Sequence, residues 1–446
     1  MRQHSRTKPV LLSQGTAPPA LVWWRRPLIR QLLCDILIDE LAHLRPGHRG
    51  LADLFHDCLA KGQGAALDAL PLDDRAADGP RALALDSMEL LSIAGAVSQR
   101  FGLDLLGIDD YLLARRRFGD WIDLIIHGRE KLAGTADDSM VFFSSGSTGT
   151  PKPVRHRLDD LRVEIDGLIQ GMGAPRRILA LVPSHHIYGF IFTILGAARA
   201  FPAAPSSDHD GDALHRLDLR RQTPAALARQ VQAGDWIIAH PGFWRLAAPR
   251  LGAMPQAVAI SSTAPLDRDV AAQIMASGLR GYEIYGSTET AGLGLRRMDE
   301  PSFRLMAGWQ RSAGEDDIRR ADGRVADVQD HLIWDEDGRF RPNGRRDEAI
   351  QVLGINVYPV EIARFIETHP RVSKAAVRLM RPDEGDRLKA FVVPVDDPDP
   401  RSAENLGEDL MHWCAQKLAP AQCPRSFKMG PALPRTGMGK IMDWVI

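Results

Sequence analysis

The stretch from Met140 to Val154, MVFFSSGSTGTPKPV, decides how the rest of the chain is read. It opens on a short apolar run, Met140 to Phe143, which predicts a buried strand. The run breaks into Ser144, Ser145, Gly146, Ser147, Thr148, Gly149, Thr150, Pro151 and Lys152. Two glycines let the backbone turn its N–H groups inward, the hydroxyl side chains add donors, and Lys152 puts a positive charge at the end of the loop. Such a loop grips a polyanion, and a triphosphate fits it best. The spacing is not GxxxxGK[ST], and the chain has neither GxGxxG nor a GxSxG elbow. Taken alone, a Ser/Gly/Thr-rich turn after a strand is often only a turn.

Four later stretches give this one its meaning: PSHHIYG (Pro183 to Gly189), YGSTET (Tyr285 to Thr290), GRRDEAIQVLGINVYPVEI (Gly344 to Ile362) and PRTGMGKI (Pro434 to Ile441). In this order the five resemble the signature segments of the adenylate-forming superfamily, which holds acyl-CoA synthetases, aryl-acid ligases, peptide-synthetase adenylation domains and luciferase. The resemblance runs from about Ser139 to the C-terminus. It implies an α/β large domain of mostly parallel sheets with flanking helices, followed by a small, mobile α+β domain. The implied reaction joins a carboxylic acid to ATP, releasing pyrophosphate, and passes the acyl group to a phosphopantetheine thiol on CoA or on an acyl carrier protein.

The resemblance also distributes roles. Ser145, Gly146, Ser147, Thr148, Gly149 and Lys152 would hold the β- and γ-phosphates. Tyr285, within Tyr285-Gly286-Ser287, would lie against adenine, Thr288 near the α-phosphate, and Glu289 on Mg2+, with Thr148 a further metal contact. Asp330 would bind the ribose hydroxyls; it stands before the turn Asp335 to Gly338, although Val328 and Gln329 replace the family's Thr-Gly. Arg345 would contact ribose and phosphate, and Asp347 would be the hinge. Lys440 would bridge carboxylate and α-phosphate oxygens as charge develops. His186 would wall the acyl pocket, and Gly354 to Pro359 would line a pantetheine tunnel once the small domain rotates.

Composition sets the outer limits. The 446 residues allow two or three domains, and a formal net charge of -1 points to no nucleic-acid partner. The four cysteines, Cys34, Cys58, Cys414 and Cys423, show no CxxC pairing and suit a reducing cytoplasm. Ile187 to Ala200 is apolar but too short to span a membrane.

Residues 1–27 are expected to form a disordered tail. From 28 to 135 the chain is predicted to be helical: Leu28, Ile29, Leu32, Leu33, Ile36, Leu37 and Leu41 recur at helical spacing. Within it, ALALDSMELLSIAGAVSQRFGLDL (Ala82 to Leu105) resembles a carrier-protein domain, whose helix starts at Leu-Asp-Ser. That likeness makes Ser87 a candidate for phosphopantetheine attachment, although Ala84 stands where a glycine is usual. The other reading makes Asp86 an N-cap, with Glu89 completing a capping box, in a shortened N-terminal subdomain. Alternating strands and helices over 136–346 predict a mostly parallel sheet with the phosphate loop and Tyr285 to Thr290 at the carboxyl ends of its strands. Residues 347–446 form the expected lid.

In size and layout the chain is also similar to ligases of bacterial aryl-polyene pathways, which favours a hydroxybenzoate-type acid, with a fatty acid as the alternative. A non-catalytic scaffold that keeps the fold is the reading from another class.

Overall fold

The computed structural model describes residues 21–45, 50–73, 83–144, 152–202, 215–312, 317–345, 349–353, 355–381, 383–395, 400–434 and 441–445. Helix α1, Arg26–Leu44, starts with Pro27 in its first turn, where a missing N–H costs nothing. Its predicted apolar positions are buried, and so are Arg30, Gln31 and Asp35, so the helix is enclosed on every side. The expected tail is shorter than 27 residues. Trp23 is fully buried, its ring 5.1 Å from that of Phe190, and Arg25 Nη1 donates to the Phe201 carbonyl at 3.0 Å. Two adjacent indoles, Trp23 and Trp24, gain too much from burial to remain in water.

After α2 (Gly50–Ala60) and α3 (Gly64–Asp68) comes α4, Ser87–Phe101. Asp86 Oδ1 accepts from the Met88 and Glu89 amides at 2.8 Å, and Glu89 Oε2 accepts from the Asp86 amide at 3.0 Å. The helix ends at Gly102, in the left-handed region at φ 72. Helices α5 (Asp110–Ala114) and α6 (Phe118–Leu132) follow. Trp23, α1, α4 and α6 share one hydrophobic core with residues of the following sheet and of the 187–200 helix. Buried Arg129 of α6 donates to the Phe101 and Ser139 carbonyls and pairs with Asp138. The helices of this region thus close over a core that they share with the main sheet.

Strands β1 (Ser139–Ser144) and β2 (Lys152–Arg157) form an antiparallel hairpin in register from Ser139–Arg157 to Ser144–Lys152. The phosphate loop therefore joins the strands of a separate two-stranded sheet and does not follow a strand of the main one. Helix α7, Leu158–Met172, leads into that main sheet, which has seven strands in the order β4-β3-β5-β6-β7-β8-β9. Strands β3 (Arg177–Ala180), β4 (Arg216–Asp218), β5 (Asp235–Ala239), β6 (Val258–Ser261) and β7 (Arg280–Ser287) are parallel, as alternation with helices predicts. Strands β8 (Ala291–Arg297) and β9 (Arg304–Leu305) add an antiparallel edge. Separate hydrophobic cores cover the two faces of the sheet.

Three antiparallel pairs follow: β10 (Trp309–Arg311) with β11 (Ile318–Arg320), β12 (Asp330–Trp334) with β13 (Phe340–Arg345), and β14 (Ile350–Val352) with β15 (Ile355–Val357). The C-terminal unit packs helices Pro359–Ile366 and Pro400–Lys417 on β16 (Val372–Leu379), β17 (Leu388–Pro394) and β18 (Ser426–Met429) around Val357, Ile362, Leu388, Val392 and Leu410. Fully buried Lys389 holds down the last residues: its Nζ pairs with Glu384 at 2.6 Å and Asp443 at 2.9 Å and donates to the Trp444 carbonyl. Among the described residues no helix is long and apolar enough to cross a membrane.

Candidate active site

Because β3, β5, β6 and β7 run parallel, the segments leaving their carboxyl ends gather along one edge of the sheet. Tyr285, near the end of β7, donates its hydroxyl to Asp330 Oδ2 at 2.6 Å. Its ring lies 5.7 Å from Phe303 and 5.4 Å from Phe340. Asp330 opens β12 and stands in register with Arg345 at the end of β13. Tyr285 and Asp330, from separate motifs, thus meet beside an aromatic floor, which Trp334 extends at 5.3 Å from Phe340, with Arg345 next to Asp330 in the strand register. The predicted turn forms, with the Gly338 amide donating to the Asp335 carbonyl at 3.1 Å.

The YGSTET loop holds its own shape. The Ser287 amide donates to Thr290 Oγ1 at 3.1 Å, and the Thr290 amide to Ser287 Oγ at 3.3 Å. Gly286 is required by crowding, since a Cβ there would sit 2.0 Å from the Ala291 carbonyl oxygen. Gly286 and Ser287 therefore carry local structure, whatever they do for a nucleotide. Thr288 and Glu289 are half-buried, and Glu289 makes no hydrogen bond or ion pair among the described residues.

Lys152 is exposed and opposite Ser144. Ser145, Gly146, Ser147, Thr148, Gly149, Asp347, Gly354 and Lys440 lie outside the described residues. Ser87 is exposed in the first turn of α4, inside the capping box.

His186 is exposed at the N-terminus of the 187–200 helix, its ring 4.1 Å from that of buried His185. Just behind, the Ser184 amide and hydroxyl both donate to Asp35 Oδ2 at 2.6 Å, and Arg220 Nη2 donates to Asp35 Oδ1 at 2.7 Å. Burial alone would raise the Asp35 carboxyl, but Arg220 and Ser184 outweigh it and hold it below the ordinary carboxylate value. Sequence reasoning missed Asp35, whose one signal is an acid inside the apolar run LLCDILI. Tyr188 ties the same segment across the sheet by donating to the Ala239 carbonyl at 3.0 Å.

The 261–266 segment, after β6, is fastened to β7 by Ser262 Oγ, which donates to the Ile284 carbonyl at 2.9 Å. The small domain touches it there, with Gln351 Nε2 donating to the Thr263 carbonyl at 3.0 Å. Pro359 is not brought to this edge. It begins a small-domain helix and lines a crevice of about 390 Å³ with Ile350, Val377, Arg378, Leu379 and Asp443.

Among the described residues there is no cluster of three or more His, Cys, Asp or Glu that could hold a metal. A nucleotide-bound Mg2+ needs only one or two protein oxygens, so an unpaired Glu289 fits it.

Sequence comparison matches residues 94–346, more than half of the chain, to the AMP-binding enzyme family, and residues 361–440 to the AMP-binding enzyme C-terminal domain. The chain belongs to the AMP-binding, adenylate-forming enzyme family. It is an AMP-forming acid–thiol ligase. It is 34% identical over 401 residues to a 4-coumarate--CoA ligase of Halorhodospira halophila, covering 88% of this chain and 97% of that protein. A 4-coumarate--CoA ligase of Cereibacter sphaeroides is 33% identical over 434 residues, covering 96% and 98%. The fold is similar to that of o-succinylbenzoate CoA synthetase from Bacillus subtilis, with a TM-score of 0.52 at 16% identity over 72% of this chain and 73% of that one. Within this AMP-binding enzyme the family match begins inside α4, so the α1 helix that carries Asp35 stands before it.

Proposed function

We propose that this ligase activates an aryl acid, of the hydroxybenzoate or hydroxycinnamate kind, and transfers it to CoA. The observation that carries the nucleotide half is the hydrogen bond of Tyr285 to Asp330 beside the Phe303–Phe340 floor, with Arg345 opposite Asp330 in the strand register. An aromatic face, a ribose-binding carboxylate and a phosphate-binding guanidinium are what an adenosine monophosphate unit needs. The relatives' activity on 4-coumarate supports an aryl acid, and their naming as CoA ligases supports CoA over an acyl carrier protein as acceptor.

In the first half-reaction a carboxylate oxygen attacks the α-phosphorus and the bond to pyrophosphate breaks. Ser145 to Gly149 and Lys152 hold the leaving pyrophosphate; Arg345 and Lys440 meet the negative charge that builds up around the α-phosphate. Bound through Glu289 and Thr148, Mg2+ would supply charge neutralisation. Asp347 is the pivot for the second half-reaction, in which the small domain brings the Gly354 to Pro359 segment to the site. There the thiol gives up its proton, its sulfur bonds to the acyl carbon, and AMP leaves.

The test is acid-dependent ATP–pyrophosphate exchange across hydroxycinnamates, hydroxybenzoates and fatty acids. Exchange with aryl acids should fall about a hundredfold in Lys440→Ala while ATP still binds. Exchange only with fatty acids would replace the substrate class. Protein that neither exchanges nor binds ATP would favour the scaffold reading.

A further inference from the structure

The Thr288–Glu289 loop lies between β7 and β8, yet it is held from outside the main sheet. His156, on β2, points its Nε2 at the Thr288 carbonyl oxygen at 2.6 Å. A carbonyl only accepts, so Nε2 carries the proton. The ring is 7% exposed, packed 6.0 Å from Phe142. Eight residues on, fully enclosed Glu164 of α7 accepts the Gly292 amide on both carboxyl oxygens, at 3.1 and 3.2 Å. Gly292 is needed for this approach, since a Cβ there would fall 2.3 Å from Glu164 Oε1. One continuous piece of chain, β1–β2–α7, therefore holds the backbone on either side of Glu289, at Thr288 and at Gly292.

We infer that His156 and Glu164 are positioning residues that fix Thr288 and Glu289 relative to the β1–β2 hairpin and its Lys152, an inference that rests on those two residues meeting the α-phosphate and Mg2+. The two halves of a nucleotide site on separate sheets would otherwise drift by the small displacements that cost orders of magnitude in rate. Burial holds the His156 imidazole below its ordinary value, and the Thr288 carbonyl selects the tautomer with its proton on Nε2.

The experiment is calorimetric binding of MgATP without acid, paired with ATP–pyrophosphate exchange. His156→Ala should weaken MgATP by about tenfold and lower exchange at least as much, leaving the KM for the acid within about twofold. His156→Gln carries an amide N–H to the same place and should recover most of the loss. Glu164→Ala should resemble His156→Ala. MgATP affinity unchanged in His156→Ala but weakened in Glu289→Ala would overturn the inference and leave the nucleotide reading standing. Unchanged affinity in Glu289→Ala as well would overturn both. A His156→Gln variant that folds normally and binds as poorly as His156→Ala would reduce His156 to a space-filling residue and overturn the inference. That comparison, with Glu164→Ala, still decides the matter if His156→Ala does not fold.

Discussion

Asp35 and Glu164 are both fully enclosed carboxyls that hold a backbone amide beside the active site, and they lie in opposite charge states. Asp35, behind the acyl segment, faces the Arg220 guanidinium and takes two hydrogen bonds from Ser184, so it stays ionised despite burial. Glu164, behind the nucleotide loop, has the Gly292 amide as its hydrogen-bond donor, and Arg320 does not offset burial; its carboxyl is pushed up to about 8. Burial is common to both, and only the partners differ. The segment at Ser184 to His186 is held by a charged network across three distant segments, the Thr288–Gly292 segment by His156 of the adjacent hairpin and Glu164 of α7.

Removing the charge should show this most strongly. Asp35→Ala leaves the buried Ser184 amide and hydroxyl without their acceptor and Arg220 with Asp218 alone, and should destabilise the protein by about 3–5 kcal/mol in chemical denaturation. A loss below about 1 kcal/mol would mean that the network is solvated and the contrast false. In the surviving fold, the KM for the acid should rise more than that for MgATP.

The two carboxyls also predict opposite responses to pH. Glu164 has a folded value above its unfolded one, so its contribution is complete below about pH 4.5 and disappears as pH rises through about 8. Asp35 is depressed, so its contribution is present above the ordinary aspartate value and is lost only as pH falls below it. Glu164→Gln should abolish a decline on the order of 4 kcal/mol between pH 4.5 and 8 that wild-type protein shows relative to it. Parallel stability curves for the two proteins would contradict a neutral Glu164.

A smaller effect should separate the nucleotide side from the acyl side directly. Tyr285→Phe loses the hydroxyl that donates to Asp330 and should cost about 1–2 kcal/mol in MgATP affinity, leaving the KM for the acid unchanged. The least change is expected away from both carboxyls. Ala84 sits at φ 48, a conformation that suits glycine, and Ala84→Gly should alter stability by less than about 1 kcal/mol, in the stabilising direction. A clear loss would mean that the methyl group is packed rather than strained.

The local structure around Tyr285 and Asp330 was legible because it comes in contiguous stretches whose patterning is local. Tyr285 to Glu289 could be placed at a strand end by reading forward from an apolar run, and Asp330 by the turn that follows it. The capping box at Asp86 and Glu89 was equally readable, since a cap is settled within four residues. The antiparallel edge of β8 and β9 was not, because a pairing partner leaves no mark on a strand's own sequence. Nor was the burial of Trp23, which depends on Phe190, far along the chain.

By itself, then, the sequence determined the family, the alternation of strands and helices in the main sheet, and the helical start of the chain, all of which rest on short-range spacing and residue chemistry. Tertiary structure alone decided that Trp23, α1, α4 and α6 share a core with the main sheet and that β1 and β2 pair as a separate hairpin. It also decided that Asp35 would be charged and Glu164 neutral. Apolar burial is shared among whichever segments meet, and a carboxyl's proton affinity depends on the charges and donors that folding brings within a few ångströms of it.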